Sequence, residues 1–225
     1  ATPALEQLLV LSRRHAAPLM LAVIPAFAEP ALARRLATEP NVTPVQHGWA
    51  HANHGVPGAA KSELGPERPP AQVLGELGRG SLALDAVLGA GWLRVLVPPN
   101  NRIAPAVAAC LAPAGYVGLS ADKPRRAPLP GLNQINTHVD IMNWASKTFL
   151  GAQACLALAC AHLTDRRTGR VDATEPTGLL THHLVHDGPA WEFVDAFLAA
   201  IAAHPAARWR APRDLFAPAA SAHAA

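Results

Sequence analysis

The chain has 225 residues, of which 50% are hydrophobic and 16% charged, so it is expected to form one globular domain over residues 1–225 and is not intrinsically disordered. The net charge is only +3 and no long run of Lys or Arg occurs, which excludes nucleic acid as an expected partner. Because the chain contains neither a membrane-length apolar stretch nor a signal-peptide pattern, we expect no membrane partner and a cytoplasmic location.

Strands and helices alternate along the whole chain. The first helix is the best marked, with Thr2 as its N-cap and Pro3 at its first position. Helices are predicted over 2–15, 29–38, 72–88, 103–115, 146–163 and 189–204, and strands over 19–26, 42–45, 93–99, 116–120, 134–142 and 177–186. This alternation predicts an α/β fold with a parallel sheet or barrel and helices outside. In such folds the chemistry lies at the carboxyl ends of the strands.

The strongest signal for a metal site is QHGWAHANH, directly after the second strand. If a helical turn starts there, His47 and His51 lie on one side with their Cβ atoms about 5 to 6 Å apart. Two imidazoles at that spacing can bind one cation. The alternative is that both are structural or incidental histidines, in which case the protein binds no metal.

The segment VPPNNRI again lies at the end of a strand. Arg102 could donate paired hydrogen bonds to a carboxylate there. The alternative interpretation is a helix entry with Arg102 as a surface charge.

The segment NTHVDIMNW carries polar residues in a strand that is otherwise expected to be buried. Alternation places Asn136, His138 and Asp140 on one face. Buried polar side chains must be hydrogen-bonded or must bind a ligand. Trp144 either closes a wall of a pocket or belongs to the core.

The segment LLTHHLVHD ends the last predicted strand. Alternation there sends His182 and His183 to opposite sides, so only one of them can face a site. A histidine at this position is suited to act as a general acid, because a nearby carboxylate can keep its pKa close to neutrality.

Taken in chain order, HxxxH, PPxNR, VDxxNW and LLTHH resemble the motifs of the polysaccharide deacetylase family, carbohydrate esterase family four, over nearly the whole chain. The resemblance implies an α/β fold, a distorted (β/α) barrel with fewer than eight strands. It also implies a divalent metal cofactor, with Zn²⁺ as the expected ion and His47 and His51 as two ligands.

The same resemblance implies roles for further residues. Arg102 would orient the catalytic base, and Asp140 would line the catalytic centre, although the second acidic position of that motif is Asn143 here. His182 would be the general acid, with His183 as the second choice. The residues expected to contact the substrate are Trp144, His138 and His183.

The family's first motif, a strand ending in adjacent aspartates, does not occur in this sequence. In the family, one of these aspartates is the catalytic base and the other is the third metal ligand. We therefore expect this motif and the first barrel strand to lie upstream of Ala1. The alternative is a natural loss of the motif in a lineage without catalysis.

The resulting functional prediction is a metal-dependent deacetylase that hydrolyses N- or O-acetyl groups of a carbohydrate. Two alternatives stay open. One is an amidase for small molecules, favoured mildly by the aromatic content of only 5%, which is low for an extended carbohydrate platform. The other is a non-catalytic domain that binds a carbohydrate or metabolite on a degenerate barrel.

Overall fold

A computed structural model describes residues 2–125 and 128–217. The helices are α1 Pro3–Arg14, α2 Pro30–Leu36, α3 Pro70–Leu88, α4 Pro105–Ala108, α5 Ala152–Thr168, α6 Gly188–Ala203 and α7 Pro212–Leu215. The strands are β1 Leu19–Val23, β2 Val42–Gln46, β3 Leu93–Leu96, β4 Gly118–Leu119, β5 Asn133–Gln134, β6 Val139–Asp140, β7 Met142–Asn143, β8 Thr148–Phe149 and β9 Leu179–Leu180.

The predicted first helix is confirmed in detail. Thr2 caps it by accepting the backbone N–H of Leu5 on its hydroxyl at 3.2 Å, and Pro3 occupies the first helical position. The helix buries Leu5 and Leu9 against Leu21 and other side chains of the sheet. A capped amphipathic helix therefore covers the face of β1.

The main sheet is parallel and follows the chain order from β1 to β5. Beyond it, β6 pairs in parallel with β9, whereas β7 and β8 form a small antiparallel pair. The two parallel sheets are joined through the segment between β5 and β6, because Thr137 donates to the carbonyl of Ala121 and the next residue, His138, donates to that of Gly178. The described strands do not close into a barrel, which is consistent with the α/β architecture of a distorted barrel.

Several predicted elements are shorter in the structure. The predicted helix over 103–115 is helical only in α4, and turns follow it. The helix predicted from residue 146 begins at Ala152, because Thr148 and Phe149 pair with β7 and Gly151 takes a φ of 99°. No helix in the described part of the chain has the length and apolar character needed to cross a membrane.

Parallel strand order brings the carboxyl ends of the strands to one edge. The backbone N–H of His47 donates to the carbonyl of Val23, and the N–H of Val97 donates to that of Gln46. The segments that follow β1, β2 and β3 therefore start side by side. This edge carries most of the polar residues singled out in the sequence.

Candidate metal and acid–base site

His47 and His51 come together in a turn that follows β2. Their ring centroids lie 5.1 Å apart and their planes are tilted by 52°. The expected helical turn is wrong, because residues 47–51 form no helix. Gly48 and His51 instead adopt the left-handed region, with φ values of 60° and 56°.

The hydrogen bond of His47 determines which of its nitrogens is free. Its Nδ1 lies 2.8 Å from the carbonyl oxygen of Val97, which can only accept, so Nδ1 carries the hydrogen and Nε2 has a lone pair. Burial lowers the pKa of His47 to about 4; the bond to Val97 opposes this, and the nearby His51 and His182 reinforce it. His47 is thus neutral at pH 7, with a lone pair on Nε2.

Asp140 and His182 form the second part of the site. Asp140 Oδ1 lies 3.1 Å from His182 Nε2, and Oδ2 accepts the indole N–H of Trp144 at 2.8 Å. Burial alone would raise the pKa of Asp140, but the bonds from His182, Trp144 and the backbone of Met142 outweigh it and lower that pKa below its usual value. Asp140 is therefore an ionised partner for the imidazole.

Trp144 packs its ring edge-to-face on His182, with centroids 4.6 Å apart, and keeps 52% of its surface exposed. It therefore forms a wall beside His182. The structure brings together His47 with His51, and Asp140 with His182 and Trp144. The charge of His182 also contributes to lowering the pKa of His47.

The segment after β9 differs from the prediction. The strand ends at Leu180, and His183 starts a short 3₁₀ helix, so the expectation of opposite strand faces for His182 and His183 is wrong. Burial lowers the pKa of His183, and His182 reinforces this. His186, for which the sequence predicted no role, accepts the backbone N–H of His182 on its Nε2 at 3.0 Å.

Arg102 lies directly after the 3₁₀ turn Pro99–Asn101 that follows β3. Its side chain is exposed and makes no hydrogen bond or ion pair with any residue that the structure describes. Its predicted bond to a catalytic carboxylate stays a prediction.

His138 lies in a different cluster from Asp140. Its ring stacks on that of His162 with centroids 3.5 Å apart and planes 16° from parallel, and its Nε2 is 3.5 Å from Glu175 Oε2. Glu175 is fully buried and accepts the backbone N–H groups of Asn136 and Arg125. The structure does not bring His138 to Trp144 or His182, so its predicted contact with substrate stays a prediction.

The ligating atoms of His138, His162 and Glu175 lie within 4.8 Å of one another, close enough to hold an ion. Two observations favour a structural role instead. The N–H of Gly178 donates to His138 Nδ1 at 3.1 Å, which leaves the hydrogen of a neutral ring on Nε2. The two rings are nearly parallel, so their in-plane nitrogen lone pairs do not converge on one point.

The structure is similar to solved polysaccharide deacetylases and carbohydrate esterases. A protein of Pseudomonas aeruginosa PAO1 assigned as a polysaccharide deacetylase matches with a TM-score of 0.67 at 14% identity, over 95% of this chain and 71% of that chain. Another, from Mycobacterium smegmatis, matches with a TM-score of 0.63 at 18% identity, over 92% of this chain and 73% of that chain. A family 4 acetyl xylan esterase from Clostridium thermocellum, in complex with a cobalt ion, matches with a TM-score of 0.56 at 12% identity. The match covers 95% of this chain and 84% of that chain.

A scan of the sequence against models of protein families finds no match, and neither does a search of curated proteins. The likeness at these identities concerns the fold. The chain has the fold of family 4 carbohydrate esterases, as the order of its motifs predicted.

Proposed function

We propose that this chain, which has the fold of the polysaccharide deacetylases, belongs to a metal-dependent deacetylase that hydrolyses N- or O-acetyl groups of a carbohydrate. One observation carries the proposal: beyond the carboxyl ends of the parallel strands, the neutral His47 lies against His51, and His182 is hydrogen-bonded to Asp140 and contributes to the lowered pKa of His47.

The two imidazoles suit a divalent cation. Neutral imidazole nitrogens are ligands for Zn²⁺ and for Co²⁺, and His47 already directs its N–H away to Val97. The clostridial esterase is in complex with a cobalt ion. We propose Zn²⁺ held by His47 and His51, and a divalent ion at such a site acts as a Lewis acid toward the acetyl carbonyl.

His182 is proposed as the general acid. With Nε2–H donated to Asp140, Nδ1 is the nitrogen that is left to gain or release a proton. The ionised Asp140 stabilises the protonated imidazole and fixes its ring. His182 would then protonate the leaving amine or alkoxide.

The base and the third metal ligand are proposed to be adjacent aspartates upstream of Ala1, as the resemblance implies. Arg102 supports this part of the proposal, because its guanidinium has no partner among the described residues and its planar fork suits a carboxylate. Trp144 supports a sugar-binding role, because its half-exposed indole can pack against a sugar ring.

Metal content tests the proposal directly. We expect zinc in the wild-type protein by elemental analysis after dialysis, and its loss in His47→Ala and in His51→Ala. His54→Ala is the matched control, since His54 lies in the same loop and is exposed. Undiminished zinc in both ligand variants would refute the assignment.

Turnover by the full-length gene product separates the remaining alternatives. A panel of acetylated sugars and small amides is incubated with the zinc-loaded protein, and released acetate or amine is measured. Acetate from sugars supports the deacetylase. Preference for small amides indicates an amidase, and sugar binding without turnover indicates a non-catalytic domain.

A further inference from the structure

Glu63 is a buried carboxylate beneath the turn that carries His47 and His51. It lies in the loop between β2 and α3 and is only 1% exposed. Oε1 accepts the backbone N–H of Ala50 at 2.7 Å, and both carboxylate oxygens lie 3.3 Å from the N–H of Trp49. Burying a charged group is costly unless it is hydrogen-bonded. The N–H groups of Trp49 and Ala50 therefore stabilise the buried carboxylate, and the carboxylate in turn satisfies these two donors.

The turn is folded around this carboxylate. A Cβ atom on Gly48 would lie 1.9 Å from Glu63 Oε2. The φ of 60° at Gly48 also favours glycine. The carboxylate therefore occupies the space that a side chain directly after the first histidine of HxxxH would need, which explains why residue 48 has none.

The opposite side of the turn is held by other contacts. Gln46 is fully buried, and its amide donates to the carbonyl of Gly48 at 3.0 Å. The carbonyl of Trp49 accepts the N–H of Ala26 at 3.0 Å. Among the described residues, Glu63 is thus the side chain that accepts the N–H groups of Trp49 and Ala50, while Gln46 donates to the carbonyl of Gly48.

From these contacts we propose that Glu63 is a positioning residue for the metal centre. Its two acceptor contacts hold the turn that sets His51 against His47. This inference rests on the proposed function, because it assumes that the two imidazoles bind a divalent ion.

The test compares two buried glutamates that accept two backbone N–H groups each. Zn²⁺ affinity of the full-length protein is measured by competition with a chromophoric chelator for the wild type, Glu63→Gln and Glu175→Gln. Outer-shell changes typically weaken metal binding by about 10- to 100-fold, and we expect that loss for Glu63→Gln. Glu175→Gln is expected to lower the unfolding temperature while leaving the affinity unchanged.

Wild-type affinity in Glu63→Gln overturns the inference, and so does an equal loss in Glu175→Gln. Should Glu63→Gln not fold, Glu63→Asp serves in the same comparison; it keeps the charge but draws the carboxylate back, and we expect a loss of about 10-fold.

A second measurement separates this inference from the proposed function. If the wild type binds no Zn²⁺, the proposed metal site is refuted. Imidazole ¹⁵N NMR of the metal-free protein then tests whether Glu63 positions His47 and His51. Shifts of His47 and His51 that change in Glu63→Gln but not in Glu175→Gln support positioning. Unchanged shifts in both variants overturn it.

Discussion

At the scale of single residues, acceptor groups decide which imidazole nitrogens are available. The carbonyl of Val97 takes the Nδ1 hydrogen of His47, and the carboxylate of Asp140 takes the Nε2 hydrogen of His182. The proposed ligand therefore offers Nε2, whereas the proposed acid offers Nδ1. The two roles differ because the two rings are held at opposite nitrogens.

Asp140→Asn tests the partner of His182, the proposed general acid. The variant keeps the side-chain shape but removes the negative charge that stabilises protonated His182, so we expect kcat to fall by roughly 10²- to 10⁴-fold with KM little changed. Steady-state kinetics on the best acetylated substrate measures this. Zinc content is the internal control and should stay at the wild-type level; an unchanged kcat would contradict the role of Asp140.

At the scale of elements, α5 packs a histidine into the interior. His162 is 5% exposed, stacks on His138, and has its Nδ1 2.9 Å from Thr177 Oγ1. Burial lowers the pKa of His162 to about 4, and the neighbouring His138 and Arg166 reinforce this. A neutral imidazole thus attaches the helix to the segments that precede β6 and β9.

This attachment predicts acid sensitivity. Between pH 6.5 and about 4, His162 takes up a proton in the unfolded chain but not in the folded one, so the free energy of unfolding falls as the pH falls. At about 1.4 kcal/mol per pKa unit, His162 contributes up to about 3 kcal/mol to this fall in the free energy of unfolding. Urea unfolding at pH 7 and pH 4.5 measures the change, and His162→Gln should reduce it. Equal changes in variant and wild type would rule out His162 as the source.

At the scale of the whole molecule, the proposed site depends on several distant segments being folded together. His47 and His51 follow β2, Val97 follows β3, and His182 follows β9. The unfolded chain has no such arrangement, so Zn²⁺ should bind the folded state preferentially.

Zinc is therefore expected to stabilise the fold. At a free Zn²⁺ concentration 100 times Kd, the free energy of unfolding should rise by about 2.7 kcal/mol. Thermal unfolding across a zinc titration measures this as a rising midpoint. His47→Ala should show no such rise, and a rise of the same size in that variant would locate the effect outside the proposed site.

The sequence alone determined the alternation of strands and helices, the capped first helix and the order of the four motifs, because these depend on local periodicity and on residues close in the chain. Tertiary structure decided where β9 ends, which cluster contains His138, and which backbone N–H groups Glu63 accepts. It also decided which imidazole nitrogens of His47 and His182 stay free. Val97, the partner of His47, lies 50 positions away in the sequence, and Asp140, the partner of His182, lies 42 positions away. Hydrogen-bond partners at such separations are set by how strands pair and loops pack, which local periodicity does not encode.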